Sequence, residues 1–313
     1  MPQKLQVIFF SIFWALALSS TSRPDRASVE QLLLVVPLGP SPAVEKVSHA
    51  FYSLGYSEDW EQARWVSYFA SSGHSTGTAK RRNDFRIDTS VSTGSSELSD
   101  YYESGFDRGH LAPAHDFSWS ASALSETFFM SNISPQVPSF NRGIWLSLEN
   151  KIRDIVASGN ELIIVVGPIV EATDKSIGDN QVKVPSRFFK AFIARSNTSP
   201  DAAWFGAGYI LDNSDEKQSL ELAIVTIDQI EAITKLDLFS ALDDSTEEKV
   251  EQQSNLDWQK TTETVSPANS ESSEESARGT SSVQCNGLTQ RGLRCKRETK
   301  SENGYCHQHQ SQQ

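Results

Sequence analysis

Residues 104–113 read Ser104-Gly105-Phe106-Asp107-Arg108-Gly109-His110-Leu111-Ala112-Pro113, and this stretch decides the fold. It places the imidazole of His110 next to an arginine and an aspartate, between two glycines. Because glycine tolerates conformations that other residues avoid, Gly109 lets backbone and substrate approach closely at the histidine. Taken alone, the stretch is also consistent with a loop histidine beside a surface ion pair. We expect a short strand over residues 106–112 that presents His110.

A helix is predicted at residues 139–158, because apolar residues recur at helical spacing and a glycine follows. The apolar positions are Ile144, Leu148, Ile152, Ile155 and Val156. Asn141 and Glu149 lie on one side of this helix, about 12 Å apart along its axis. The amide oxygen of Asn141 suits a hard cation, although an N-cap role explains the same residue. The carboxylate of Glu149 is suited to hold a water molecule that is bound to this cation. An ion pair with Lys151 or Arg153 on a solvated face of the helix explains the same residue.

Three segments carry a resemblance to a known family: residues 107–113 (DRGHLAP), 131–136 (SNISPQ) and 140–149 (FNRGIWLSLE). Together they resemble the DNA/RNA non-specific endonuclease family, a ββα-metal group of nucleases, over roughly residues 45–240. The resemblance implies an α+β fold, in which a central and mostly antiparallel sheet carries the ββα-metal element on one face. It also implies a hydrolase that cuts phosphodiester bonds of DNA and RNA and contacts both through the phosphate backbone.

The resemblance assigns the chemistry to three side chains. His110 matches the general base that deprotonates the attacking water. Asn141 matches the single direct protein ligand of Mg²⁺, with Mn²⁺ as an alternative ion, and Glu149 matches the residue that anchors the surrounding waters. Mg²⁺ prefers oxygen ligands and keeps several waters, so a single amide ligand is compatible with it. A neutral histidine near pH 7 suits proton abstraction from water.

Other positions of the resemblance concern the phosphate and the order of the site. Asn132 matches a residue that helps to order the site, and Arg108 and Arg82 match the arginines that hold the phosphate. Arg81 adjoins Arg82, so a slip of one residue would exchange the two. Arginine guanidinium groups form paired hydrogen bonds with phosphate oxygens, which every nucleotide carries. The site is therefore expected to recognise the nucleic-acid backbone and not the base sequence. Asp107 is assigned to orienting the histidine or the turn, not to the metal.

The net charge of −12 argues at first against a nucleic-acid partner. Residues 241–280 hold ten acidic and three basic residues, so the acidity is concentrated there and the rest of the chain is only mildly acidic. This segment is rich in Ser, Glu and Thr, and it lacks the apolar surface that would offset the entropy lost on ordering. We therefore expect an endonuclease domain at residues 44–242 and a disordered acidic linker at residues 243–282.

The first 22 residues are predicted to be a signal peptide, because Lys4 precedes an apolar run that small residues follow. The run covers residues 5–18 and is shorter than the roughly 20 residues that a membrane-spanning helix needs. We expect a secreted or periplasmic protein without stable membrane insertion after removal of the signal, or an anchored protein if the signal is retained. Residues 23–43 contain four prolines and are expected to be a connector.

The three cysteines of the chain all lie near its end. Cys285, Cys295, Cys306 and His309 supply four ligands at residues 283–313, which favours a tetrahedral Zn²⁺ as the organiser of a segment that is too short for a core. His307 competes with His309, and a disulfide between the first two cysteines is the alternative to zinc. The five basic residues of this zinc-binding tail would add phosphate affinity, or the tail would dock a protein partner.

Local patterns predict further elements. A Ser N-cap followed by acidic residues predicts a helix at residues 57–66. Apolar runs predict strands at 161–166, 188–194, 202–211 and 223–225, and a Thr cap predicts a helix at 226–235.

A second functional hypothesis is a nuclease-like protein that only binds nucleic acid, with the zinc-binding tail as its main contact. The complete set of His110, Asn141 and Glu149 argues against it. Deletion of residues 241–313 separates the two hypotheses, since an enzyme would still turn over.

Overall fold

The structure is a computed structural model that describes residues 37, 44–74, 77–196, 204–253, 283–284 and 298–299. The chain divides into two compact units, Met1–Thr264 and Val265–Gln313. In the second unit, strands Val283–Gln284 and Glu298–Thr299 pair antiparallel. The predicted zinc ligands lie outside the described residues, as do residues 1–36, which include the predicted signal peptide.

The first unit is built around a seven-stranded sheet. The strands of this unit, which include two separate pairs, are β1 (Glu45–Ser48), β2 (Tyr52–Ser57), β3 (Gln62–Ala70), β4 (Asp107–His110), β5 (Ile133–Gln136), β6 (Asn160–Ile169), β7 (Ser176–Ile177), β8 (Val182–Lys183), β9 (Arg187–Ser196), β10 (Phe205–Asp212) and β11 (Ile224–Val225). The order across the sheet is β1-β2-β3-β6-β9-β10-β11, and every neighbouring pair is antiparallel. The predicted α+β fold with a central antiparallel sheet is therefore confirmed.

Each face of the sheet is covered by helices. The helices are α1 (Ala121–Glu126), α2 (Leu146–Ala157), α3 (Ile227–Thr234) and α4 (Asp244–Glu251). Side chains alternate between the two faces along a strand. In β9, Phe188 and Phe192 therefore share a core with α2, whereas Phe189 and Ile193 share one with α3 and α4.

Strands β4 and β5 form a separate antiparallel pair, and a helical segment follows them. Asp107 pairs with Gln136 and His110 pairs with Ile133. A Cβ at Gly109 would lie 2.2 Å from the side chain of Gln136 on β5, so only glycine fits at this position of β4. The glycine before the histidine is thus required by close packing on the neighbouring strand.

The helix predicted at residues 57–66 is wrong. Residues 58–61 form a turn, in which Glu61 has φ +52°, and β3 begins at the next residue. Trp65 and Val66 point to opposite cores, which is the alternation of a strand. Burial on both faces therefore overrides the local capping signal of a Ser followed by acidic residues.

The predicted start of the disordered linker, residue 243, also needs correction. Helix α4 begins at residue 244, and its Val250 is completely buried. The backbone N–H of Gly206 in β10 donates to Gln253 Oε1 at 2.9 Å, and a Cβ at Gly206 would lie 2.5 Å from the Val250 carbonyl oxygen. A glycine on the sheet lets this polar helix approach closely, so one valine is enough to anchor it. Residues 254–282 lie outside the described part of the chain.

None of the helices in the described part of the chain is both long and apolar enough to cross a bilayer.

Candidate active site

His110 is clamped between two phenylalanine rings at the end of β4. Its ring centroid lies 4.9 Å from that of Phe128 and 5.5 Å from that of Phe85. The side chain is buried, and its Nε2 makes no hydrogen bond to any group in the described residues. Burial, followed by the charges of two arginines, lowers the pKa of His110 to about 3. The imidazole is therefore neutral, and its Nε2 is used by no group in the part of the chain that the structure describes.

The two arginines near this imidazole are Arg108 and Arg81. The guanidinium of Arg108 lies 4.7 Å from the Phe85 centroid, and that of Arg81 lies 5.2 Å from the Phe128 centroid. Each arginine thus stacks on one of the rings that clamp the histidine. Arg82 instead lines a depression of about 360 Å³ beside α1. The structure therefore places Arg81, and not Arg82, next to the imidazole, and which of the two arginines holds the phosphate stays a prediction.

Asn132 holds the chain that follows the histidine. Its Oδ1 accepts from the N–H of Ala112 at 2.9 Å, and its Nδ2 donates to the carbonyls of Ala112 (3.0 Å) and Thr127 (2.9 Å). The side chain is fully buried, and both N–H groups of its amide are used. Asn132 therefore orders the site through the backbone and has no N–H left for a substrate.

An Asn132→Ala variant is expected to lose about 3 kcal/mol of unfolding free energy, because three buried backbone groups lose their partner at roughly 1 kcal/mol or more each. Urea unfolding followed by circular dichroism measures this loss. Asn83→Ala, at an exposed position, is the control and should change stability by less than about 0.5 kcal/mol. Equal stability of the two variants would contradict the role of Asn132.

Asp107 connects the strand to the helical segment. Its carboxylate accepts from Asn141 Nδ2 at 2.9 Å and from Arg142 Nε at 2.8 Å, and it accepts a second bond from Arg142. Burial would raise the pKa of Asp107, but the hydrogen bonds from Arg142 and Asn141 lower it below its ordinary value. Since Asp107 engages the amide nitrogen of Asn141, the amide oxygen faces the other way. Asp107 thus orients Asn141 and makes no hydrogen bond to the histidine, whereas the sequence led us to expect that it orients the histidine or the turn.

The helix that carries Asn141 is irregular. A short helical turn, Pro138–Phe140, passes into a wide turn over Asn141–Trp145, in which Gly143 has φ −108° and ψ −106°. Regular helix α2 begins only after this turn. Wide turns of this kind occur frequently at functional sites. The rotation between Asn141 and Glu149 that a regular helix implies therefore does not apply here.

Glu149 lies in the first turn of α2, and its carboxylate is almost buried. Burial raises its pKa to about 7, and the nearby charges of Lys190 and Arg153 oppose this effect. Arg153 lies one turn further on, 4.0 Å from Glu149, and donates to Asp116 at 2.8 Å. Asp116 also accepts from Tyr68 Oη at 3.1 Å.

The donor set fits a hard divalent cation. Asn141 offers an amide oxygen that Asp107 turns outward, and Glu149 offers a carboxylate. Oxygen donors in this small number match Mg²⁺, which keeps most of its waters. The described residues also contain an acidic cluster of Asp228, Glu231 and Glu251, but it belongs to α3 and α4 on the other face of the sheet.

Of the residues around Glu149, the sequence indicated Arg153, which follows it at i+4, the spacing of helical ion pairs. Sequence patterns missed the others. Lys190 is the one charged residue within the apolar run of β9, which is an unusual place for a lysine. Asp116 and Tyr68 gave no comparable signal, because their contacts join distant parts of the chain.

Comparison with known proteins gives a consistent answer. The model of the DNA/RNA non-specific endonuclease family matches residues 38–245, and that of a domain of unknown function matches residues 282–313. Mitochondrial endonuclease G of Homo sapiens is 36% identical over 203 residues, which are 60% of this chain and 67% of that protein. The mitochondrial nuclease EXOG of Mus musculus is 31% identical over 238 residues, which are 72% of this chain and 65% of that protein.

Two further matches extend the comparison. A nuclease of Nostoc sp. is 30% identical over 213 residues, which are 64% of this chain and 75% of that protein. The crystal structure of the EndoG/EndoGI complex gives a TM-score of 0.63 at 24% identity, covering 75% of this chain and 99% of that chain. At this identity, the structural match concerns the fold alone.

The prediction of a secreted or periplasmic protein is wrong, since the endonuclease G and EXOG relatives are mitochondrial proteins. A basic, apolar and Ser-rich start without acidic residues before Asp25 is shared by several kinds of targeting segment. These features therefore did not identify the compartment. Zinc in the tail stays a prediction, because the matching domain has no known function.

Proposed function

The chain belongs to the DNA/RNA non-specific endonuclease family, whose activity is the hydrolysis of nucleic acids, and we propose that it cuts their phosphodiester bonds with His110 as general base. The observation that carries this proposal is the clamped imidazole. It is neutral, its Nε2 is unused by described groups, and an arginine stacks on each of the rings that hold it.

In the proposed reaction, His110 accepts a proton from a water molecule while the water oxygen attacks phosphorus. The bond from phosphorus to the 3′ oxygen breaks, and this oxygen takes a proton from a second water molecule, which leaves a 5′-phosphate and a 3′-hydroxyl. Arg81 and Arg108 hold the non-bridging oxygens and stabilise the charge that develops on them. Since these contacts involve phosphate alone, DNA and RNA are both substrates.

Substrate binding would also strengthen the base. Besides burial, the charges of Arg81 and Arg108 lower the pKa of His110, because protonation of the imidazole would add a third positive charge next to the two guanidinium groups. A phosphodiester between the two arginines neutralises their charge, so the proton affinity of the imidazole rises. The free enzyme then keeps its base neutral, and the complex makes it stronger.

Asn141 would ligate the divalent cation through its amide oxygen, and Glu149 would hold the hydration shell. When bound, Mg²⁺ or Mn²⁺ supplies positive charge that stabilises the phosphate and the leaving oxygen. Asp107 contributes by fixing the direction of the Asn141 amide.

The Mg²⁺ concentration for half-maximal activity is expected to rise as pH falls below about 7. The pKa of Glu149 is about 7, so its carboxyl is ionised above this pH and protonated below it. A protonated carboxyl holds the cation less well, by up to about tenfold per pH unit. Mg²⁺ titrations of nuclease activity at pH 6, 7 and 8 measure the effect. The Glu149→Gln variant should require more Mg²⁺ for half-maximal activity, and this concentration should not change with pH. A wild-type Mg²⁺ requirement that is constant from pH 6 to 8 would contradict the role of Glu149.

The function itself is tested by incubating the purified full chain with plasmid DNA and with RNA. Degradation of both polymers with Mg²⁺, and its arrest by a chelator, is the expected result. Binding of either polymer without cleavage would instead support the nucleic-acid-binding hypothesis.

A further inference from the structure

Asp88 is a completely buried aspartate in the segment between β3 and β4. Its Oδ2 accepts from Ser131 Oγ at 2.5 Å and lies 2.9 Å from His49 Nε2, and its Oδ1 accepts from the backbone N–H of Ser90 at 2.9 Å. Burial would raise the pKa of Asp88, but the hydrogen bonds from His49, Ser131 and Ser90 lower it below its ordinary value. The carboxylate is therefore ionised at neutral pH and accepts every hydrogen bond that it makes.

His49 joins this carboxylate to the turn between β1 and β2. Its side chain is 6% exposed, and because an ionised carboxylate only accepts, the proton between the two groups lies on Nε2. The imidazole also stacks on the ring of Phe129, with the two centroids 4.8 Å apart. Phe129 immediately precedes the turn Met130–Asn132, so His49 reaches this turn both through Asp88 and through Phe129.

These three polar side chains do not form a catalytic triad, although they are a serine, a histidine and an aspartate in contact. In a hydrolytic triad the histidine bonds to the serine and serves as its base. Here the carboxylate of Asp88 lies between the other two groups, and Ser131 is completely buried, so no substrate can reach its hydroxyl. The network is suited to holding the surrounding chain in place.

The turn that this carboxylate holds positions the chain after His110. Ser131 adjoins Asn132, whose backbone carbonyl accepts from the N–H of Leu111 at 3.0 Å. The side chain of Asn132 accepts from the N–H of Ala112 at 2.9 Å. Leu111 and Ala112 follow His110 directly, so the hydrogen bond from Ser131 to the carboxylate anchors the residue next to both contacts.

We propose that Asp88 is a positioning residue for the hydrolysis described above, and that its buried carboxylate holds the turn Met130–Asn132 and thereby fixes His110 relative to the attacked phosphate. The inference rests on the proposed function only through the role of His110 as base. The placement of such a group matters to the rate, since a displacement of about 1 Å costs roughly 100-fold. Asp88 acts only through Ser131 and Asn132, and it contacts neither the base nor the residues at the cation.

The first test measures hydrogen exchange and needs neither metal nor substrate. Exchange of the amides at residues 110–112 is compared with that of β6 in the wild-type full chain and in its Asp88→Ala, Ser131→Ala and Asp100→Ala variants. The first two variants are expected to speed exchange at residues 110–112 about tenfold more than exchange of β6, because the turn opens locally. Asp100→Ala is the matched control and should not produce this difference, since Asp100 is also buried but holds Asn180.

An equal change at residues 110–112 and in β6, or no change in either, would overturn the proposal, because Asp88 would then contribute only to global stability. If Asp88→Ala does not fold, Ser131→Ala decides the question, since it removes the same hydrogen bond and very little volume. Failure of Ser131→Ala to fold would also overturn the proposal.

The second test separates kcat from KM in the cleavage of a DNA duplex with Mg²⁺. Asp88→Ala and Ser131→Ala are expected to lower kcat about 10- to 100-fold and to leave KM within about twofold of wild type, because the proposed phosphate contacts are unaltered. Asp100→Ala should keep both constants within about twofold. Wild-type kcat in a folded Ser131→Ala protein, or a rise in KM without a fall in kcat, would overturn the proposal. An inactive wild type would instead refute the proposed function, without bearing on the exchange measurement.

Discussion

A His110→Ala variant is expected to lose about 10²- to 10⁴-fold in kcat on both DNA and RNA, because the attacking water then has no base. The pKa of the imidazole, about 3 in the free protein, keeps the group neutral throughout the usual assay range. Loss of activity should therefore be similar at pH 7 and at pH 8. Cleavage of plasmid at saturating substrate and Mg²⁺ measures it.

The control for this variant is His115→Ala, an exposed histidine five residues further along the chain. It should keep kcat within about twofold of wild type, as surface substitutions usually do. Both variants need the same far-ultraviolet circular dichroism as wild type, since His110 is packed between two rings. A folded His110→Ala protein with wild-type kcat would refute the proposed mechanism.

An Arg81→Ala variant is expected to lose about 10²-fold in kcat, whereas Arg82→Ala should stay within about twofold of wild type. Arg81 stacks on Phe128 beside the histidine, and its charge acts on His110 and on Glu149. Arg82 faces a depression beside α1 and has no such interaction among the described residues. Single-turnover cleavage of one DNA duplex compares the two variants.

Adjacent arginines make this comparison stringent, because both substitutions remove the same charge from the same surface. The salt dependence of binding should change by a similar amount in both, since either arginine is close enough to attract a polyanion. A larger kcat loss in Arg82→Ala than in Arg81→Ala would mean that the phosphate is held on the other side of this segment.

Much of the fold followed from hydrophobic periodicity. Long buried strands such as β6 and β9 were predicted within a few residues of their bounds, because runs of apolar residues have few alternatives. The prediction of a helix at residues 57–66 failed because a capping interaction stabilises a helix less than burial of Trp65 and Val66 in two cores stabilises a strand. Helix α4 was missed because its anchor, Val250, depends on a glycine in a distant strand.

The candidate site was predicted in the same uneven way. Its family, and with it His110, Asn132, Asn141 and Glu149, followed from short segments of distinctive sequence. The sequence did not predict which groups each of these side chains contacts. Asn132 binds backbone alone, and Asp107 binds Asn141 through a carboxylate hydrogen bond that no local pattern announces.

The sequence by itself determined the family of this protein, through the three segments at residues 107–113, 131–136 and 140–149, whereas residues 104–113 alone were also consistent with a loop histidine. Tertiary structure alone decided which arginine stacks on a ring beside His110 and which lysine is buried against Trp145. The physical reason is that charge interactions act through space between elements far apart in sequence. Arg82 is one residue away from Arg81 along the chain, yet it lines the depression beside α1 and does not stack on the rings that hold His110.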